Sequence, residues 1–559
     1  MSTQIAERII LIGLPGSGKT TTGKLVASLL GWPYADVDDL IERAAGKRVK
    51  DIFAEDGEER FRELECRALA QALEPRRVVI ATGGGCIERA DNRALLHERG
   101  WVAYLATGPE TAHTRLAQSA NEGPVRPLLA GDDALARMRV LLERRERWYC
   151  EADGTFQTDG ATAEMIAARI VAWLVAHGSL PDDGAAEQVR HVGTAAGEGY
   201  DAVVGWGALA RLGERLRALG LPARVFLVAD ANVAILYEAP AVAQLTAAGF
   251  EVLVYRVPAG EASKSREGLN AIHDWLAERR AERGEAVIAL GGGVVGDLAG
   301  FAAATYLRGM RLVQVPTSLL AQVDASIGGK VAIDHPQGKN LIGAFYPPRL
   351  VLADAAALLT MPARQRIEGW AEVVKHGVVL DATYFESLER EVDGLLALEP
   401  RATTEAIAKS VALKAGIVQG DEREREGGQR HLLNYGHTVG HAVEAVAGYG
   451  AWLHGEAVAA GMMAEALLGR RLGITAQSVV ERQGALLARF GLPTRLDGLT
   501  AGALMRAALW GKKVASGRPR WVLPDVLGST RLVRDVPDED VRAALLEAGA
   551  VDDEPPPAG

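Results

Sequence analysis

An apolar run, Arg8-Ile-Ile-Leu-Ile12, ends directly in Gly13-Leu-Pro-Gly-Ser-Gly-Lys-Thr20. No other stretch so narrows what the chain can fold into. The spacing fits G-x-x-x-x-G-K-[ST], which works only between a buried strand and the start of a helix. It predicts a strand over residues 8–12 and a helix over 19–30. Around Gly16, Ser17 and Gly18 the backbone N–H groups can close on phosphate oxygens, and the helix N-terminus adds partial positive charge. Lys19 then reaches the outer phosphates, Thr20 offers a hydroxyl to Mg2+, and Thr21 follows in the same turn. This is a nucleotide site, and it does not name the acceptor.

The 559 residues exceed one ordinary core, so two or three domains are expected. A net charge of −10 argues against non-specific binding to nucleic acid or an anionic membrane. Cys66, Cys86 and Cys150 form no CxxC pair, which fits a reducing cytoplasm. No signal-peptide layout or membrane-length apolar run is present. Strands over 78–81 and 101–105 alternate with helices, an α/β pattern with a parallel sheet. The first domain is expected over 1–176, closed by a helix near 161–176, with a linker over 177–189. Strands near 225–229, 251–255 and 286–290 give a second α/β half over 190–360. A mostly helical half follows over 361–548, with helices at 364–380, 403–419, 437–446 and 456–472. The proline-rich tail, 549–559, is expected to be disordered.

Several segments of the first domain supply acceptor chemistry. Asp36 and Asp38 sit where a second strand should end; a carboxylate there can orient a hydroxyl or hold a magnesium-bound water. Asp38 can equally cap the next helix. Arg62, the glycines Gly83-Gly84-Gly85 and Arg126 in a loop-like stretch follow. Together these segments resemble shikimate kinase over about residues 5–175, on Gly13–Thr20, Asp36-Val-Asp38, Gly57-Glu-Glu-Arg-Phe-Arg62, Gly83–Gly85, Arg126-Pro-Leu-Leu129 and Arg145 before Trp148-Tyr149. The resemblance implies ATP with Mg2+ held by Thr20 and, through water, Asp36. It implies that Asp38 binds the shikimate hydroxyls and acts as base, that Arg62, Arg145 and Gly84 hold shikimate, and that Arg126 is a lid arginine. Arg115 is a candidate to stack on adenine. Where the family often has Arg-x-Pro-Leu-Tyr, this chain has Arg145-Glu-Arg-Trp-Tyr149, with Arg144 and Arg147 as neighbours.

The second signature is a carboxylate–histidine set. His437 and His441 are four apart on one helix face. His454 precedes the next helix, and Glu372 lies on an earlier one. Such residues suit a divalent metal with open positions, but spacing does not choose among the four. Gly291-Gly-Gly-Val-Val-Gly-Asp297 after a buried strand is a dinucleotide-type turn. Asp230 and Asn232 end another strand. A scattered cationic and amide set, Arg308, Lys330, Lys339, Asn340, Lys375, Lys414, Arg430, Asn434 and Lys512-Lys513, suits a phosphorylated carboxylic acid. Lys330 and Lys339 follow glycines in apparent loops.

These segments resemble 3-dehydroquinate synthase over about residues 190–545. The match rests on Gly260-Glu-Ala-Ser-Lys264, Gly291–Asp297, Tyr306-Leu-Arg-Gly309, Pro316–Lys330, Gly338–Gly343, Ala371-Glu-Val-Val-Lys375, Leu433–His441 and His454-Gly-Glu456. It implies NAD, contacted by Asp230, Asn232, Gly260, Glu261, Lys264, Gly292, Gly293, Val294, Asp297, Thr317, Ser318, Lys339 and Thr360. It implies Zn2+ (or Co2+) on Glu372, His437 and His454, with His441 turned to substrate beside Asp324 and Lys375 in catalysis. Lys414, Arg430 and Asn434 would hold the substrate carboxylate. Lys330, Asn340 and Lys512, or its neighbour Lys513, would hold the phosphate. Arg308 would reach in from a partner subunit of a homodimer built through this half. The two resemblances imply one bifunctional enzyme of the shikimate pathway: ATP-dependent shikimate phosphorylation, and NAD- and metal-dependent conversion of 3-deoxy-D-arabino-heptulosonate 7-phosphate to 3-dehydroquinate. A metal–NAD polyol dehydrogenase would share the glycine turn and metal site but would not need the phosphate-directed lysines.

Overall fold

The computed structural model describes residues 5–118, 133–195, 197, 199–425, 428–448, 450–509, 514–515 and 518–553. The chain divides into two compact units, Met1–Pro181 and Asp182–Gly559. Among the described residues no helix is long and apolar enough to cross a membrane.

The first unit is built on five parallel strands: β1 (Arg8–Ile12), β2 (Tyr34–Asp36), β3 (Val78–Ala81), β4 (Trp101–Ala106) and β5 (Gly154–Gln157). Their order is β2-β3-β1-β4-β5, which puts β1 at the centre. Ile9, Ile10 and Leu11 are fully buried, as both faces of a helix-covered parallel sheet require. The helix after the glycine loop spans Lys19–Leu30, the predicted range. It packs against the helix Ala163–Ala176, whose Trp173 lies over Trp101 with ring centroids 4.8 Å apart. The segment 177–189, a linker by composition, is largely built into its neighbours. Ala6 N donates to Ser179 O at 2.7 Å, and Gln188 already begins the next strand.

The second unit has a seven-stranded sheet of β6 (Gln188–Val192), β7 (Tyr200–Gly205), β8 (Arg224–Asp230), β9 (Glu251–Val257), β10 (Ala286–Gly291), β11 (Arg311–Pro316) and β14 (Leu350–Asp354). The order is β6-β7-β14-β11-β10-β8-β9, parallel except for β6. From β8 the chain turns outward to β9, then returns to place β10 on the other side. The carboxyl ends of β8 and β10 therefore flank a topological switch point, where open α/β sheets bind ligands. A separate hairpin, β12 (Lys330–His335) with β13 (Gly338–Phe345), packs on the helix Gly293–Thr305. Gly300 permits that approach, since a Cβ there would lie 2.4 Å from Val331 Cγ1. Lys330, Lys339 and Asn340 are thus strand residues, not the loop residues their glycine neighbours suggest.

The remainder is mostly helical, with helices at Ala363–Leu380, Pro400–Gly420, His437–Ala447 and His454–Arg471 among others. His454 is the first residue of its helix, not a residue ahead of it. Residues 549–553 depart from the expected disorder. Val551 bridges to Thr500, and Asp553 Oδ1 accepts from Gly502 N at 2.9 Å. Residues 554–559 lie outside the described residues.

Candidate active sites

At the carboxyl end of β1 the glycine loop takes the backbone angles its sequence demands. Gly16 and Gly18 have φ of 83° and 90°, a region that disfavours side chains. Lys19 is folded into the loop, its Nζ 2.8 Å from Gly13 O and 2.9 Å from Leu14 O. The ammonium therefore sits where incoming phosphates would take over from carbonyl acceptors. Thr20 Oγ1 donates to Asp36 Oδ2 at 3.0 Å, and Tyr34 OH donates to the same oxygen at 2.9 Å. Asp36 also accepts from Asp38 N, so Asp36 and not Asp38 caps the helix Val37–Ala45. Thr21 is exposed in the first turn.

The three glycines after β3 bring the acceptor candidates together. A Cβ on Gly83 would lie 3.0 Å from Asp38 Oδ1 and 2.9 Å from Glu65 Oε1. On Gly85 it would strike the Arg62 guanidinium at 2.6 Å, and on Gly84 it would meet Pro15 of the phosphate loop at 3.0 Å. Asp38, Arg62 and the nucleotide loop therefore border one small space that glycine keeps open. Glu65 is a further member that sequence reasoning missed. It is fully buried, and its Oε2 accepts from Arg62 Nη1 at 2.9 Å. Burial pushes its carboxyl above the usual range, against the pull of Arg62. Of the three neighbouring arginines, Arg145 is the buried one. Its Nε donates to Glu88 Oε1 at 2.8 Å, and Tyr149 OH from the same helix reaches Gly84 O at 3.3 Å. Arg144 reaches Glu88 from the surface, and Arg147 lies over Trp148. Glu88 too was missed. Arg115 is held by Thr158, donating to its carbonyl at 2.7 Å. Arg126 lies outside the described residues.

In the second unit the dinucleotide turn caps β10. Gly292 precedes the helix Gly293–Thr305, with Val294 in its first turn, and a Cβ on Gly291 would lie 3.1 Å from Asp230 Cβ. Asp230 ends β8 and accepts from Asn232 N at 2.8 Å, so its carboxylate is itself a helix cap. Thr317 N donates to Gly291 O, and Ser318 Oγ would lie 3.5 Å from a Cβ on Gly292. Thr360 bonds the Tyr237 hydroxyl at 2.8 Å. Lys264 is buried beside Asp297 at 2.6 Å and contacts the Asn340 amide, while Glu261 stands 3.9 Å away. Gly260 has φ of 103° at the start of that turn.

The metal candidates converge. Donor atoms of Glu372, His437 and His454 all lie within 4.8 Å of one another. Glu372 Oε1 is 3.4 Å from His437 Nε2 and 3.9 Å from His454 Nε2. Both Glu372 oxygens are buried without a hydrogen bond, although Lys375 pairs with the carboxylate. A fully buried carboxylate in that state fits a cation in the space it faces. The other ring nitrogens are held from behind. His437 Nδ1 meets Tyr435 O at 3.0 Å, and His454 Nδ1 meets Glu444 Oε2 at 3.4 Å. This is the outer shell that orients metal-binding imidazoles. Glu444, unnoticed in the sequence, also pairs with Lys339 at 3.2 Å. His441 lies beside the set, its ring centroid 5.4 Å from that of His437.

The cations form a second cluster beside the metal candidates. Lys414 Nζ is 2.5 Å from Asp324 Oδ1. Burial pushes the Asp324 carboxyl up, but Lys414 and Lys375 outweigh it and hold it well below the usual range. Burial pulls Lys414 down to about 8, aided by like charges on Arg430 and Lys375. Arg430 is buried and donates to Gly328 O at 3.3 Å. Glu424 stands among these groups, paired with Lys330 and accepting from Asn434 Nδ2 at 3.3 Å. Arg308 is exposed in a left-handed turn with φ of 64°, and Lys512 and Lys513 lie outside the described residues. Titration with Co2+ is expected to give a visible d–d spectrum that Glu372→Ala, His437→Ala and His454→Ala each abolish. His441→Ala should keep it.

Known proteins match both units. The family model for shikimate kinase matches residues 15–175. Those for the N-terminal and C-terminal parts of 3-dehydroquinate synthase match 254–368 and 369–514. The 3-dehydroquinate synthase of Desulforamulus reducens is 45% identical over 349 residues, 62% of this chain and 97% of that protein. The one from Symbiobacterium thermophilum is 47% identical over 351 residues, again 62% and 97%. A solved structure of the 2-epi-5-epi-valiolone synthase ValA from Streptomyces hygroscopicus, with NAD+ and Zn2+ bound, is 30% identical. It covers 62% of this chain and 96% of that one, with a TM-score of 0.58. Through its second unit the chain belongs to the 3-dehydroquinate synthase family, and its first unit matches the shikimate kinase family model.

Proposed function

We propose that one cytoplasmic chain carries out two reactions of the shikimate pathway at two sites. The first unit transfers the γ-phosphoryl group of ATP to shikimate, and the glycine-lined space between the nucleotide loop, Asp38 and Arg62 carries that reading. Lys19 neutralises the transferring phosphoryl group, and Gly16–Thr21 cradle the phosphates. Thr20 and Asp36, which are hydrogen-bonded to each other, would hold Mg2+. Asp38 binds the acceptor hydroxyls and takes the proton. Arg62 and Arg145 clamp the shikimate carboxylate beside Gly84, and Arg126 closes from its loop. Arg145→Ala is expected to raise KM for shikimate by roughly 10- to 100-fold, the loss of one charged hydrogen-bonded contact. Arg144→Ala should change it less than about twofold, since an exposed pair contributes little.

The second unit converts 3-deoxy-D-arabino-heptulosonate 7-phosphate to 3-dehydroquinate and phosphate. The convergence of Glu372, His437 and His454, with donor atoms within 4.8 Å of one another about a fully buried carboxylate, carries this reading. Bound Zn2+ or Co2+ would supply Lewis acidity, and bound NAD would supply hydride-transfer chemistry. The protein's part is to hold charge and geometry. Asp230, Asn232, Gly260, Glu261, Lys264, Gly292–Val294, Asp297, Thr317, Ser318, Lys339 and Thr360 bind the dinucleotide. Lys414, Arg430 and Asn434 orient the substrate carboxylate. Lys330, Asn340 and Lys512 bind the phosphate, with Arg308 supplied across a homodimer. Lys375, His441 and Asp324 move protons on the ring.

Product assays on the purified chain test both halves. Lys19→Ala is expected to abolish shikimate 3-phosphate formation and leave phosphate release from the heptulosonate substrate unchanged. His437→Ala should do the reverse. Loss of both activities from either change, with the chain folded, would defeat the two-site reading. Lys414 also gives a pH signature. It is charged below about 8 and neutral above, so KM for the heptulosonate substrate is expected to rise as pH passes upward through that value. Lys414→Met should raise KM at neutral pH and flatten the profile.

A further inference from the structure

Two of the three proposed metal ligands lie on neighbouring helices that touch backbone to backbone. His437 begins the helix His437–Ala447, and His454 begins the helix His454–Arg471. Glycines set the spacing. A Cβ on Gly461 would lie 2.1 Å from Gly436 O, and one on Gly440 would lie 3.2 Å from Ala457 O. With so little space the helices cannot tilt or slide freely. A buried carboxylate adds a polar tie between them. Glu465, on the His454 helix, accepts from Gly436 N at 2.8 Å through Oε2, and from Thr438 N and Val439 N at 3.1 and 3.2 Å through Oε1. These three donors bracket His437. They are N–H groups that a helix start leaves without internal partners, and the helix dipole favours an anion there. Glu465 is fully buried, so its hydrogen bonds to those donors do not compete with water. Tyr435, just before them, is tied to the same helix by its hydroxyl, 2.9 Å from Met462 O.

We propose that Glu465 is a positioning residue of the metal centre: it joins the first turn of the His437 helix to the helix that begins with His454, and so fixes the separation of two ligands. The inference rests on the metal reading given above. It differs from an ordinary cap because the capped turn carries one ligand and the capping residue sits on the element that carries another.

The test uses the full chain freed of metal with a chelator and titrated with Co2+ alone, against a competing chromophoric chelator. Glu465→Gln keeps the shape and one acceptor oxygen, and Glu465→Ala removes both. The Gln variant is expected to weaken Co2+ binding by roughly 10-fold and the Ala variant by up to roughly 100-fold, the range for outer-shell partners of metal ligands. Both should shift the d–d absorption, which reads ligand geometry and which a merely less stable protein would leave alone. NAD binding, measured by fluorescence, reports that the α/β half is intact. If the Ala variant fails to fold, the Gln variant decides. Parent-like affinity together with a parent-like spectrum in Glu465→Gln would overturn the proposal and leave the metal reading standing. If the parent chain itself bound no Co2+, both would fall.

Discussion

Parallel strands cannot be joined by tight hairpins, so each must be followed by a crossover, usually a helix. The turns that lead into those helices gather on one edge of the sheet, and so do the helix N-termini. Both units are organised by this constraint. In the first, β1 leads into the phosphate loop and β3 into the three glycines, and the two turns meet at Pro15 and Gly84. In the second, β8 and β10 end side by side at Asp230 and Gly291 because the strand order reverses there. Different chemistries thus arise at equivalent edges of two unrelated sheets. The helical half adds what a sheet edge supplies poorly, a set of imidazoles and a carboxylate held at fixed spacing by helices that touch through glycine.

Much of this was legible in the sequence because the relevant signals are local. The strand–loop–helix unit began and ended where its apolar run and glycines indicated. The i,i+4 histidines lay on one helix, and the glycine turn followed a buried strand. Other signals were misleading for physical reasons. Glycine before Lys330 and Lys339 suggested loops, yet Gly329 directly precedes one strand and Gly338 begins the other of a hairpin pressed against a helix. The tail was judged by its prolines, which left out the pairing of Val551 with Thr500.

The residues that sequence reasoning missed share one chemistry. Glu65, Glu88, Glu424, Glu444 and Glu465 are all carboxylates that hold a functional cation, imidazole or helix end. Nothing in a sequence marks such a glutamate, since its meaning depends on which charge the topology delivers beside it. Glu88 shows this well: fifty-odd positions separate it from Arg145, and only the return of a helix brings them to 2.8 Å. Conversely, Asp36 and Asp38 were recognised as a pair with separate tasks, but the residues alone did not show which of them caps the next helix. That is decided by the Asp36 carboxylate, which accepts from Asp38 N.

Glu424 has a consequence for how the proposed phosphate and carboxylate groups of the second unit would meet an anion. The Lys330 ammonium is already paired with the Glu424 carboxylate, which also accepts from the Asn434 amide. An arriving anion therefore exchanges with a resident one. Its affinity is the difference between two similar contacts, and the association alters the number of neutralised cations very little. Such a pocket gains selectivity from shape and additional oxygens more than from charge, and its response to ionic strength is blunter than its count of lysines and arginines would suggest.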